Sequence, residues 1–207
     1  MEKGKCGENM IKINKNLKIS IEKRLTLHHK LYSQAVKAEQ WEEILEQSIR
    51  ENGGTTDWDP GSHKVGEDIG TNIFGRISCK SGSLDKKKSG PKKGTETITI
   101  SGSRTTKHKT LKSKINHLSE SHDDNYFCLA KYKDDIKSGN YRYYLIIFPS
   151  TLIRPSNLKW KEHGDNYLAE GVGIKQTINT SMSGQLWTTF DTSLAPFRIE
   201  LNAGRKN

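Results

Sequence analysis

The chain is short of apolar residues. Only 32% of its 207 residues are hydrophobic, below the range usual for globular domains. No run approaches the ~18 consecutive apolar residues of a membrane-spanning helix, so none is expected. The lysine-rich first thirty residues contain no apolar segment of the secretory type. Three cysteines, Cys6, Cys79 and Cys128, are too few for a disulfide scaffold, and their spacing fits no zinc motif. A reducing, cytoplasmic context is expected. The length suits one domain with an appendage, or at most two small ones.

Positive charge is abundant. Lys and Arg number 34 against 24 acidic residues, a net charge of +10. Between Lys80 and His117 eleven basic residues face only Asp85 and Glu96, so this segment carries +9. A solvated loop would suffice to explain a lysine run. A polyanionic partner, nucleic acid before anionic membrane, explains its concentration better.

The patterning predicts a mixed α/β fold, a mixed central sheet flanked by helices. Residues 1–19 read as a polar arm and 20–52 as helical. Trp41, Ile44, Leu45, Ser48 and Ile49 share one helical face, and Gly53-Gly54 is a stop signal. Residues 1–52 are thus an arm and helical segment, and 53–207 a core. Strand signals occupy 74–80, 96–101, 126–132, 141–148, 158–161, 173–178, 185–190 and 197–201, with a basic loop over 86–94 and helical spacing over 106–120. The apolar runs at 126–132 and 141–148 are the expected centre of the core. Trp160, Trp187 and Phe197 are expected to be core residues.

The residues that suggest chemistry lie between His63 and Lys80. Phe74-Gly75 suits a tight hairpin. On the returning strand Ser78 and Lys80 point to one face, and the hairpin can bring Asp68 beside both. A carboxylate, a hydroxyl and an ammonium then surround one point. Oxygen ligands suit a hard divalent ion, which activates water at a phosphodiester, while a neighbouring lysine offsets developing charge. Asp68 would hold Mg2+ with the Cys79 carbonyl, and Lys80 the nucleophile. Asp57 and Asp59 are further possible ligands, although turn formation explains them equally. Arg104, Lys107, His108 and Lys109, expected at a helix start, suit phosphate or groove contacts, as do His63 and Lys64. Gln185, Asn179 and Arg104 are candidates for base reading.

The pattern Asp68…Ser78-Cys79-Lys80 resembles the PD-(D/E)xK nuclease superfamily, and type II restriction endonucleases in particular. Ile100–Leu111 and Ser181–Trp187 also look like stretches of small restriction endonucleases. The sequence departs from the motif at Glu67, where the family has Pro, and at Ser78, where it has an acidic residue. The resemblance implies a restriction-endonuclease-like core from about residue 38 to 148, with Asp68, Ser78 and Lys80 as catalytic residues. It also implies a further glutamate from the preceding helix, Glu42 first and Glu46 next. Taking Trp41, Ile44, Leu45 and Ile49 as buried puts Glu42 near the edge of that face and Glu46 further away. The expected activity is Mg2+-dependent cleavage of double-stranded DNA by a prokaryotic, cytoplasmic homodimer. The alternative is a basic nucleic-acid-binding protein without catalysis.

Overall fold

A computed structural model describes residues 13–59, 68–87, 94–120, 124–132, 135, 140–179 and 184–205. Two helices come first, α1 (Lys15–Leu31) and α2 (Ala38–Glu51). The strands β1 (Thr56–Asp57), β2 (Ile69–Thr71), β3 (Gly75–Lys86) and β4 (Glu96–Arg104) lead to α3 (Leu111–Ser119). The remainder is β5 (Asn125–Tyr132), β6 (Asn140–Pro149), β7 (Trp160–His163), β8 (Asn166–Gly171), β9 (Ile174–Asn179), β10 (Gln185–Asp191) and β11 (Phe197–Arg205), with short 3-10 turns after β6 and β10. The chain is therefore mixed α/β. Its strands form one sheet ordered β11-β6-β5-β3-β4-β10-β9-β8-β7, with β1 and β2 branching from β3. All pairings are antiparallel except β3 with β5. The parallel pair requires a crossover, which β4 and α3 provide.

Alternation along the central strands builds two apolar layers. Phe127 and Leu129 of β5, with Tyr143, Leu145 and Ile147 of β6, pack beneath α1 and α2 against Leu17, Ile21, Leu25, Trp41 and Leu45. Cys128, Ala130, Ile146 and Phe148 face the other way and join Leu84, Ile98, Ile100 and Phe190. Four strand spacings separate β6 from β10, about 19 Å in a flat sheet. Yet the Phe148 and Phe190 rings meet edge-on with centroids 4.7 Å apart, so the sheet curls around this second layer. Glu96 of β4 closes the curl by accepting from Arg198 of β11, Tyr132 of β5 and Thr192.

The helical region differs from expectation. α1 begins inside the segment read as an arm, with the Asn14 side chain accepting from the Leu17 N–H. The span 20–52 is two helices. The break is stabilised from a distance: the Tyr143 hydroxyl accepts from the Val36 N–H at 3.1 Å and lies 2.8 Å from His29 Nε2, while His29 Nδ1 is 3.1 Å from the Tyr32 carbonyl. Tyr143 OH then donates to His29 Nε2, and Nδ1–H donates to Tyr32. α3 starts at Leu111, because the Thr110 side chain caps it by accepting from Ser113. Arg104 therefore ends β4, and Lys107, His108 and Lys109 precede the helix. β8 adds a strand where none was expected. Trp160 and Phe197 are partly buried against the core, as expected, but Trp187 is 45% exposed. Most of the basic loop, 88–93, lies outside the described residues, as do His63 and Lys64.

His29 is 3% exposed, and burial pushes its pKa down to about 4. The unfolded value is near 6.5, so the folded state resists protonation. The neutral ring's stabilisation is complete above about pH 6.5 and lost as pH falls toward 4. Urea unfolding between these pH values should show the parent losing about 3 kcal/mol more than a His29→Gln variant.

Candidate functional site

One edge of β3 has two successive partners. β2 pairs with its start, Ile69 opposite Ile77, and β4 with its end, Gly82 opposite Ile100. Between them no described residue pairs with β3, and the polar groups of Cys79 are bound by side chains. The Asp68 N–H donates to the Ile77 carbonyl at 3.0 Å, carrying the chain into the opening. There Asp68 Oδ2 accepts from the Cys79 N–H at 2.6 Å, from Ser78 Oγ at 3.1 Å and from Lys80 Nζ at 3.3 Å. Lys80 Nζ also donates to the Cys79 carbonyl at 3.0 Å. Both main-chain groups of Cys79 are thereby satisfied, as burial of a peptide requires. The stretch between the two pairings and the cluster of carboxylate, hydroxyl and ammonium are one local structure.

Ser78 is buried, and its hydroxyl orients Asp68. The Cys79 side chain belongs to the apolar layer under the helices; Cys79 and Cys128 are both free thiols. Lys80 is partly exposed, with its Nζ 5.9 Å from the centroid of the Tyr126 ring.

α2 brings Glu42 within electrostatic reach of Asp68 and Lys80. Trp41 anchors this helix on the sheet by donating from Nε1 to the Phe127 carbonyl at 2.9 Å. Partial burial, and then the Asp68 carboxylate, raise the Glu42 pKa to about 7, against a smaller lowering by Lys80 and a Trp58 hydrogen bond. Two carboxylates thus share the opening with one ammonium.

Glu46 differs from expectation. It is 4% exposed, is paired with Arg50, and accepts from Thr56 Oγ1 at 2.7 Å. It ties α2 to β1. Asp57 lies in β1 opposite Gly70, and both Asp57 and Asp59 are exposed. No group of three or more His, Cys, Asp or Glu side chains positioned to hold a metal occurs among the described residues. Among the described residues, the oxygen donors near the opening include the Asp68 and Glu42 carboxylates and the Cys79 carbonyl, a hard-oxygen set.

Among the described residues, the candidate DNA contacts Arg104, Gln185 and the turn carrying Lys107, His108 and Lys109 gather at one sheet end. Arg104 stands opposite Gln185, whose Nε2 donates to the Gly102 carbonyl at 3.4 Å. Continuing the β3–β4 register places Arg104 level with Ser78, so the basic end of β4 lies at the same end of the sheet as Asp68. Arg104, Lys107 and Lys109 are exposed. The His108 ring stacks on His117 of α3 at 4.3 Å. Lys114, one of the eleven basic residues between Lys80 and His117, is buried and donates to the Thr105 carbonyl and hydroxyl. It pins the turn that carries the exposed bases. No helix of the described residues is long and apolar enough to cross a membrane.

No family model, curated protein or solved structure matches the chain.

The proximity of Glu42 to the cluster has a direct readout. Replacing Asp68 by Asn removes a negative neighbour, so the Glu42 pKa should fall below about 7; Lys80→Gln should raise it. Carboxyl carbon NMR across pH 5–9 measures both. A Glu42 titration unmoved by either change would show that the groups do not share a site.

Proposed function

We infer that the protein is a metal-dependent endonuclease that hydrolyses phosphodiester bonds of double-stranded DNA. The observation that carries this reading is the convergence of Ser78, Cys79 and Lys80 on Asp68, with Glu42 beside it, at the end of the sheet where basic residues are exposed. The element order supports it too. A helix, the strands β2 and β4 both antiparallel to β3, a second helix and the parallel strand β5 follow one another in the chain, an order compatible with the core that the PD-(D/E)xK resemblance implies.

The residues fit a hard divalent ion such as Mg2+. Asp68 Oδ2 and the Cys79 carbonyl already share a cation, the Lys80 ammonium, and a carbonyl oxygen has a second lone pair. Glu42, raised by partial burial and by its carboxylate neighbour, would be stabilised in its charged form by further positive charge. Asp68, Glu42 and the Cys79 carbonyl would hold the ion, which when bound would polarise the phosphate and lower the pKa of its water. Ser78 and the Cys79 N–H keep Asp68 oriented. Ser78 does this as a hydrogen-bond donor, a role compatible with a hydroxyl at the acidic position of the motif. Lys80 presents positive charge to the phosphate as negative charge develops. Arg104, Lys107 and Lys109 neutralise flanking phosphates. Cutting both strands of a two-fold symmetric site calls for two copies of the chain.

Incubation with long, varied duplex DNA and Mg2+ should give discrete fragments, and EDTA should abolish them. Asp68→Asn and Lys80→Ala should each slow cleavage at least about 100-fold while duplex binding in EDTA stays within about fivefold. Cleavage that survives both substitutions contradicts the assignment. Binding without cleavage in the parent favours a non-catalytic nucleic-acid-binding protein.

A further inference from the structure

On β10, Leu186, Thr188 and Phe190 are buried while Trp187 points outward. Its cross-strand neighbours are Ser101 of β4 and Thr177 of β9, side chains too small to cover an indole. One step along, Thr99 and Thr189 pair through their hydroxyls at 2.9 Å. A tryptophan 45% exposed on a face of threonine and serine adds nothing comparable to what a core position would give it.

Two further observations give this face a direction. First, the β4–β10 register shifts beside the tryptophan. Gln185 opposes Arg104 while Trp187 opposes Ser101, so β4 holds one extra residue there. Such bulges re-aim neighbouring side chains and are over-represented next to active sites. Second, the charge is asymmetric. The Gln185 end carries exposed Arg104, with Lys107 and Lys109 in the turn that follows. The carboxylates of the same face, Glu170 and Asp191, lie toward the other end. Glu170 is opposite Lys175 and 4.0 Å from Lys161, and Asp191 accepts from Ser193. A polyanion is drawn to the Arg104 end.

Ser78 and Lys80 lie at the same end of the sheet, on its opposite face. Ser101 is one residue past the Gly82–Ile100 pair, level with Ser81. Trp187 is therefore two strand spacings, about 10 Å, from Ser81, and on the sheet face opposite to that of Lys80, which is paired with Cys128 of the other layer.

We propose that the outward face of β4, β10 and β9 is a platform on which Trp187 stacks an unpaired base of a DNA strand, with Arg104 and Lys107 on the adjoining phosphates. The proposal rests on the nuclease reading for its choice of substrate. Stacking on an aromatic side chain is available to any base and requires that base to leave the duplex. The enzyme would accordingly engage unpaired or extruded bases on the sheet face opposite the Lys80 side chain.

Anisotropy of a labelled dT oligomer, measured in EDTA, tests the platform without cleavage. Trp187→Ala should weaken binding roughly 5- to 150-fold, and Trp187→Phe should restore it to within about threefold of the parent. The slope of affinity against salt should be unchanged in Trp187→Ala and shallower by about one in Arg104→Gln. Failure of the parent to bind the oligomer overturns the proposal. So does unchanged affinity in Trp187→Ala, or equal loss in both tryptophan variants. Mg2+-dependent duplex cleavage by the parent is scored in parallel. Cleavage without a tryptophan effect removes the platform alone, whereas tryptophan-dependent binding without cleavage removes the nuclease reading alone.

Discussion

The site depends on an interruption in one strand's pairing. Among the described residues, β3 exchanges β2 for β4 along the same edge, and the peptide of Cys79 falls between the two pairings. A buried peptide must find partners, and here they are the Asp68 carboxylate and the Lys80 ammonium. Each depends on the other. With Asp68 gone, the Cys79 N–H loses a charge-assisted bond and Lys80 a counter-charge. With Lys80 gone, Asp68 and Glu42 lose a positive neighbour that both feel. The fold itself therefore fixes the relative positions of the groups proposed to act.

The rest of the structure holds that strand rigid. On its other edge β3 pairs in parallel with β5 over its full central length, and β5 lies at the middle of both apolar layers. The curl of the sheet makes the second layer possible by bringing Phe190 onto Phe148. It also places Glu96 where Arg198 can reach across from the opposite side. α2, fixed by Trp41 and by the buried Glu46, delivers Glu42 from outside the sheet. The carboxylates thus arrive on different elements, one from the end of β2 and one from a helix.

The Asp68 cluster was legible because its information is local. A turn at Phe74-Gly75 and the period of two along a strand suffice to bring Asp68 to Ser78 and Lys80. The two apolar strands at 126–148 were legible for the same reason. What escaped depends on distant partners. The break after α1 is stabilised by Tyr143, more than a hundred residues away. Glu46 looked like a solvent-facing glutamate because its partner Thr56 lies beyond the helix. Lys114 looked like one basic residue among several, yet it satisfies Thr105 in the interior. Trp187 was expected in the core on its size, and only the side of β10 left uncovered corrects that. β8 lacks a continuous apolar run and takes its strand state from pairing with β7 and β9.

The central claim is that the opening in β3 is a divalent-cation site built from Asp68 and Glu42. Calorimetric titration of Ca2+ into the protein bound to a duplex tests it directly. The account predicts binding in the parent and at least tenfold weaker binding in both Asp68→Asn and Glu42→Gln. Equal Ca2+ affinity in all three proteins, or no binding in the parent, would contradict it.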